Sequence, residues 1–304
     1  MNWKPKAFKT LQQKARLLLK IRAFFLQQDI LEVNTPLLSP YGTTDPTIES
    51  LVLSYQQRDY YLPTSPEFYM KRLIAAGSGS IFQIAHAFRA EEVGKNHLTE
   101  FTLLEWYCMG WNYETLMQQV HQLINECLDK TIEIPTYTYA GLFQQYTGIN
   151  PLTISDEDLR KRVPDNLADL DRDALLDYFL SIEIMPQLKS AGWFFVKDYP
   201  ASQASLAQLK ADDPTVAERF ELFHNGLELA NGFSELQDAK EQLERFQQDN
   251  QKRALNKQQQ IPIDELLIAA LDSGLPKCAG VALGVDRLFM VLFQLNDIQE
   301  IGLH

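Results

Sequence analysis

The sequence predicts an α+β protein, and three observations carry that prediction. Residues 81–89 and 101–108 each alternate in hydrophobicity, the period of a half-buried strand, with a short loop between them. Leu11, Ala15, Leu18, Ile21 and Phe25 recur at helical spacing. The small residues Gly280-Val-Ala-Leu-Gly284 read as a strand leading into an apolar helix from Val285 to Leu295.

In chain order, residues 9–28 form the first expected helix. Residues 31–38 read as extended, because Pro36 forces Thr35 out of the helical region. Pro, Gly, Thr and Asp mark residues 40–48 as a loop. In the first alternating segment Phe82, Ile84, His86 and Phe88 share one face, opposite Gln83, Ala85, Ala87 and Arg89. In the second, Phe101, Leu103, Glu105 and Tyr107 lie opposite Thr102, Leu104, Trp106 and Cys108. Helices are expected over 113–130, within 155–182, over the polar stretch 237–260 with its exit loop, and over 262–273, ended by Gly274 and Pro276. The polar stretch reads as a solvated surface. No Gly/Ser-rich linker divides the chain, so residues 1–304 are expected to form a single domain.

Composition excludes several classes. With 45% hydrophobic and 11% aromatic residues, the 304-residue chain can bury a core and is not disordered. Its net charge of −12 argues against a broad electrostatic grip on nucleic acid. The apolar runs are far short of the roughly 20 residues needed to cross a bilayer, and Met1-Asn-Trp-Lys-Pro-Lys6 lacks a signal-peptide core. A cytoplasmic protein is expected. Three widely spaced cysteines suggest neither disulfides nor zinc.

Three constellations could carry chemistry. Arg89 ends a strand beside small side chains, Glu91 follows, and Phe101 lies on the return arm. A guanidinium binds phosphate in a bidentate way, and an aromatic ring gives a purine a face to stack on. Glu228 and Glu235 flank Asn231-Gly232, read here as a tight turn that brings both carboxylates to one site. Such a pair suits Mg²⁺ with a polyphosphate, acid–base work, or an ammonium. Arg287 stands where the glycine-rich strand hands over to a helix, and helix starts favour anions. Each taken alone also fits an ordinary surface pair or close packing.

Together and in this order, they resemble the catalytic core of class II aminoacyl-tRNA synthetases. Phe24–Pro36 resembles motif 1, the dimer-forming helix and strand. Phe88-Arg89-Ala-Glu91 through Phe101-Thr-Leu-Leu-Glu105-Trp-Tyr107 resembles motif 2, and Gly280 through Met290 resembles motif 3. Thr64-Ser-Pro-Glu-Phe-Tyr-Met-Lys71 and Asn231-Gly-Phe-Ser-Glu-Leu236 point to the lysyl branch. The resemblance implies a mainly antiparallel sheet flanked by helices, a homodimer, and ATP with Mg²⁺. With motif 1 beginning near residue 21, no anticodon-reading barrel is expected before it. In that it is similar to lysyl-synthetase paralogues that modify a translation factor, and Tyr199–Ala207 and Ala282 agree with them. Ala282 stands where lysyl synthetases usually carry a glycine, and its methyl would trim the amino-acid pocket.

Carried over by position, the resemblance implies that Arg89 holds the α-phosphate and Arg287 the γ-phosphate. Both would act in catalysis. Phe101 would stack on adenine, with Ala90, Glu91 and Leu98 around the nucleotide. Glu228 would bind Mg²⁺, Leu229 would line the nucleotide site, and Gly284 would give backbone access. Ser65, Pro66 and Glu67 would receive one amino group of the substrate. Tyr107 and Glu235 would receive the other, with Glu105 nearby. A carboxylate roughly 4 Å from an ammonium gains about 4 kcal/mol before desolvation, at an effective dielectric near 20. Ala90 and Leu98 depart from the family, which usually carries asparagine at both positions.

The implied reaction is activation of (R)-β-lysine as an adenylate and its transfer to a lysine side chain of elongation factor P. Two alternatives stand beside it: a lysyl-tRNA synthetase core that charges tRNA with L-lysine, and a silent regulatory paralogue. The acidity and missing barrel weigh against the first, and the presence of Arg89, Glu228 and Arg287 against the second.

Overall fold

A computed structural model describes residues 8–90 and 94–301. Helix α1 (Phe8–Leu26) buries Leu17, Ile21 and Phe25, one stripe at four-residue spacing. The extended stretch that follows is a strand only at β1 (Leu31–Glu32). Val33 still donates to the Phe82 carbonyl at 2.9 Å, but Pro36 has no N–H with which to prolong the ladder. A small hairpin, β2 (Val52–Tyr55) and β3 (Arg58–Tyr61), forms its own sheet before α2 (Glu67–Ala75).

The two alternating segments are β4 (Ile81–Phe88) and β5 (Glu100–Met109), paired antiparallel as expected. Helix α3 (Tyr113–Leu128) starts at Asn112, whose side chain accepts from the Thr115 N–H. After β6 (Thr136–Thr138), the middle of the chain folds as α4 (Tyr139–Thr147), α5 (Asp156–Arg160) and α6 (Arg172–Tyr178). Strands β7 (Trp193–Pro200), β8 (Val216–His224) and β9 (Leu227–Ser234) follow. Helices α7 (Ala239–Leu255) and α8 (Glu265–Asp272) are capped by Asp238 and Asp264. Strand β10 (Cys278–Gly284) runs directly into α9 (Val285–Phe293). The polar α7 is not solvated all round. Gln242, Phe246 and Arg253 are buried, and Arg253 ties α7 to the 40–49 loop through the Asp45 carbonyl and the Glu49 carboxylate.

The main sheet has the strand order β1-β4-β5-β10-β9-β8-β7-β6. Only β1–β4 and β6–β7 pair parallel, so the sheet is mainly antiparallel. One face is closed by α1, α3 and α9 through a core containing Phe25, Phe82, Trp106, Val120, Phe220, Val281 and Leu288. On the other face two apolar clusters stand apart. One joins α2, α7 and α8 to Ile81, Tyr107 and Cys278. The other joins α4 and α6 to Phe194, Val196 and Phe223. Between these walls lies the cavity. None of the three cysteines is in a disulfide, and no helix of the described residues is long and apolar enough to cross a membrane.

Candidate active site

Strand register builds the cavity floor. Cross-strand partners point to the same face, so Tyr107, Gly280, Phe233 and Arg219 form one row across β5, β10, β9 and β8. Glu105, Ala282, Asn231 and Glu221 form the next row, and Leu103 with Gly284 continues it toward the end that Phe101 and Arg89 reach. These residues line a cavity of about 1400 Å³, joined by Ser65 and Glu67 from the α2 end and by Leu98, Glu228, Leu229 and Arg287. The expected alternation of β5 therefore holds: Phe101, Glu105 and Tyr107 share the floor, while Trp106 and Cys108 enter the core.

The turn expected at Asn231-Gly232 does not exist. Both residues lie within β9, and the reversal is at Asn225-Gly226. Gly232 is instead required by packing, since a Cβ there would meet Phe220 and Val281 at 2.7 Å. What brings Glu228 and Glu235 to one face is a bulge. Leu222 pairs with Ala230, but Phe223 pairs with Glu228, leaving Leu229 as the extra residue. Seven residues apart on a regular strand, the two carboxylates would face opposite sides.

At one end of the cavity the guanidinium of Arg89 lies over the Phe101 ring. Arg287 donates to the Glu228 carbonyl at 3.0 Å and lies 3.7 Å from its carboxylate. Arg287 is the third residue of α9, whose start at Gly284 carries no side-chain cap. Uncapped N–H groups and arginines together favour a polyanion. Asp286 fixes this corner, accepting from the Thr102 N–H at 2.6 Å and from Lys14 at 2.7 Å. Among the described residues no three His, Cys, Asp or Glu side chains form a metal cage. Glu228, half-exposed to the cavity, fits an ion that arrives with a polyphosphate rather than one held by protein alone.

At the other end are buried carboxylates. Tyr107 donates to Glu105 Oε1 at 2.7 Å. Burial pushes Glu105 well above the usual carboxylate range, and the charge of Glu67 adds to it. Burial likewise pushes Glu235 up to about 8, with Lys71 opposing. Glu105 Oε2 and Glu235 Oε1 are buried without a hydrogen-bond partner among the described residues. A Cβ on Gly280 would lie 2.3 Å from Tyr107 Cε1 and 2.4 Å from Glu235 Oε1. The missing side chain therefore lets both groups pack directly against this strand. This end suits a bound cation.

Ser65 and Pro66 lead into α2, with Pro66 at its N-cap, and Ala90 abuts the 40–49 loop by donating to the Glu49 carbonyl. Glu91 lies outside the described residues. Sequence reasoning gave no role to Lys71, although its four-residue spacing from Glu67 puts both on one helix face. It also missed the Arg219–Glu221 pair, in which Tyr199 donates to Glu221 at 2.6 Å and Arg219 to Asn231 at 3.2 Å. Their spacing of two along β8 puts both on one strand face, and the register with β9 makes that face part of the floor.

A family profile described as tRNA synthetases class II (D, K and N) matches residues 2–304. The chain is 43% identical to the elongation factor P–(R)-β-lysine ligase of Mannheimia succiniciproducens over 310 residues, covering 98% of this chain and 96% of that protein. It is 45% identical to the protein of that name from Vibrio vulnificus, covering 99% and 97%. With the Salmonella gallinarum protein of that name the identity is 42%, covering 99% and 96%. The chain belongs to the class II tRNA synthetase family of the D, K and N type.

Proposed function

We propose that this protein uses ATP to activate (R)-β-lysine as an aminoacyl-adenylate and transfers it to a lysine side chain of elongation factor P. The observation that carries the reading is the polarity of one continuous cavity. Arginines and an aromatic ring stand at one end, and carboxylates with unsatisfied oxygens at the other. A nucleoside triphosphate suits the first end and a diammonium amino acid the second. The names of the relatives favour the β isomer and elongation factor P as acceptor.

In this reading Phe101 stacks on adenine, Arg89 holds the α-phosphate and Arg287 the γ-phosphate. Ala90, Glu91, Leu98, Leu229 and Gly284 surround the nucleotide. Glu228 would hold Mg²⁺ arriving with ATP, which would neutralise phosphate charge. Ser65, Pro66, Glu67, Glu105, Tyr107 and Glu235 orient the amino acid so that its carboxylate faces the α-phosphorus. That carboxylate attacks, the bond to pyrophosphate breaks, and the arginines stabilise the charge that develops. No protein nucleophile is needed. The acceptor ε-amine, having lost a proton, then attacks the adenylate carbonyl and AMP leaves.

The described residues contribute to one main sheet and its flanking layers, in keeping with one catalytic domain. A second copy of the chain covers the exposed Leu19, Leu26, Leu31, Leu37 and Leu38, and the dimer works in the cytoplasm. ATP–pyrophosphate exchange with each lysine isomer tests the reading. Exchange driven by (R)-β-lysine well above L-lysine supports it. Exchange with neither isomer, or a preference for L-lysine with tRNA charging, overturns it.

A further inference from the structure

Lys71 is the one lysine in the buried carboxylate cluster of the described residues. It is 1% exposed, and its Nζ lies 2.6 Å from Glu67 Oε1 and 2.6 Å from Glu235 Oε2. Glu67 and Lys71 sit four residues apart on α2, so both project from one helix face onto the floor. The Nζ also stands 5.4 Å from the centre of the Phe233 ring, in the same floor row as Tyr107 and Gly280.

An ammonium between two carboxylates is what the substrate's own amino group would provide, so Lys71 is either a placeholder or a permanent fixture. The geometry favours the fixture. Lys71 engages Oε2 of Glu235 and leaves Oε1 without a hydrogen-bond partner among the described residues. That Oε1 lies against Gly280 beside Tyr107, and all three residues line the cavity. Glu105 adds a second unsatisfied oxygen, Oε2. The substrate seat is therefore next to Lys71, not on top of it.

We propose that Lys71 is a positioning residue that stays in place when the amino acid binds, holding Glu235 in the orientation from which its free oxygen receives the substrate ammonium. The proposal rests on the reading of this cavity as a diammonium amino-acid site. Without Lys71, three carboxylates (Glu67, Glu105 and Glu235) would crowd one buried pocket and share protons rather than bind cations. The other titratable groups facing the cluster are Tyr107 on β5 and Cys278 on β10, both pushed up by burial and therefore neutral at pH 7. Neither can replace the charge of Lys71. Burial opposes that charge, but Glu235 and Glu67 outweigh it and keep the ammonium protonated.

The test measures amino-acid affinity and ATP–pyrophosphate exchange from pH 6.5 to 9 in the full-length wild type, Lys71→Met and Lys71→Arg, with (R)-β-lysine as probe. Lys71→Met is expected to raise the amino-acid KM about 100-fold at pH 7 while the ATP KM changes less than threefold. The acid limb of kcat/KM for the amino acid should move up by more than one pH unit, and Lys71→Arg should move it back toward wild type. An amino-acid KM within threefold of wild type and an unmoved acid limb in Lys71→Met would overturn the role. A crystal structure of the wild type with the amino acid bound needs no variant: Lys71 Nζ should remain within hydrogen-bond distance of Glu67 and Glu235. Finding Lys71 displaced, with the substrate ammonium in its place, would overturn the proposal. A wild type that binds no diammonium amino acid would overturn both the site reading and the role of Lys71. Wild-type binding with an indifferent Lys71→Met would overturn the role alone.

Discussion

The guanidinium carbon of Arg89 stands 5.2 Å from the centroid of the Phe101 ring, across a hairpin in which the Arg89 N–H donates to the Thr99 carbonyl at 3.0 Å. In the proposed reading, the pairing holds a phosphate ligand and a base platform in fixed relation. Arg89→Ala is expected to lower exchange about 100-fold or more, the scale for losing one preorganised charge-stabilising donor, while Tm changes little. Phe101→Leu should raise the ATP KM about tenfold, at the low end of base stacking on an aromatic ring. Wild-type exchange in Arg89→Ala would contradict the assignment.

Gly280 is the tightest point of the amino-acid end, because a methyl there collides with both Tyr107 and Glu235. Gly280→Ala should destabilise the fold by about 1–3 kcal/mol, as overpacking does, and raise the amino-acid KM far more than the ATP KM. Denaturant unfolding and exchange kinetics read the two effects separately. Equal losses of affinity for both substrates would show that Gly280 does not bound the amino-acid seat.

Ala282 pairs with Glu105 on one side and Asn231 on the other, at the centre of the floor. Removing its methyl enlarges the cavity without disturbing either ladder. Ala282→Gly is expected to improve the use of L-lysine relative to (R)-β-lysine, read as the ratio of kcat/KM values. An unchanged ratio would leave Ala282 without a part in isomer choice.

Stability should depend on pH through the buried acids. Burial raises Glu105 and lifts Glu221 and Glu235 from 4.5 to about 7 and about 8. The folded protein thus holds more protons than the unfolded chain across that interval, so stability falls as pH rises through it. Lys71, held above 10.5, keeps its contribution throughout. Tm is expected to decline from pH 5 toward pH 8, and Glu105→Gln should flatten the decline. An identical slope in the variant, followed by differential scanning fluorimetry, would contradict this.

The proposed dimer would cover the apolar side chains exposed along α1 and the segment after it. Leu19 is 65% exposed, Leu26 57% and Leu31 56%. Leu26→Asp with Leu31→Asp should convert a dimer to a monomer in sedimentation velocity. A monomeric wild type would contradict the arrangement.

The sequence made some of this legible and hid the rest. The period-two pattern of 101–108 sorted Phe101, Glu105 and Tyr107 from Trp106 correctly, because a strand with one core face and one cavity face must alternate. The pattern failed at β9. Asn-Gly is a turn signal by its local conformational freedom, but here Gly232 serves close packing against Phe220 and Val281. A one-residue bulge at Leu229 leaves no local mark, since it depends on what β8 offers opposite. Lys71 was hidden for a similar reason. Its helical spacing from Glu67 was visible, but Glu235 reaches it only through tertiary structure.

Transfer of an activated β-amino acid to a protein lysine is read by intact-mass analysis of elongation factor P. The acceptor is incubated with this protein, ATP, Mg²⁺ and either (R)-β-lysine or L-lysine. A mass gain of one lysyl residue is expected with the β isomer, far exceeding any with L-lysine. An elongation factor P of unchanged mass in every incubation, alongside L-lysine charged onto tRNA, would contradict it.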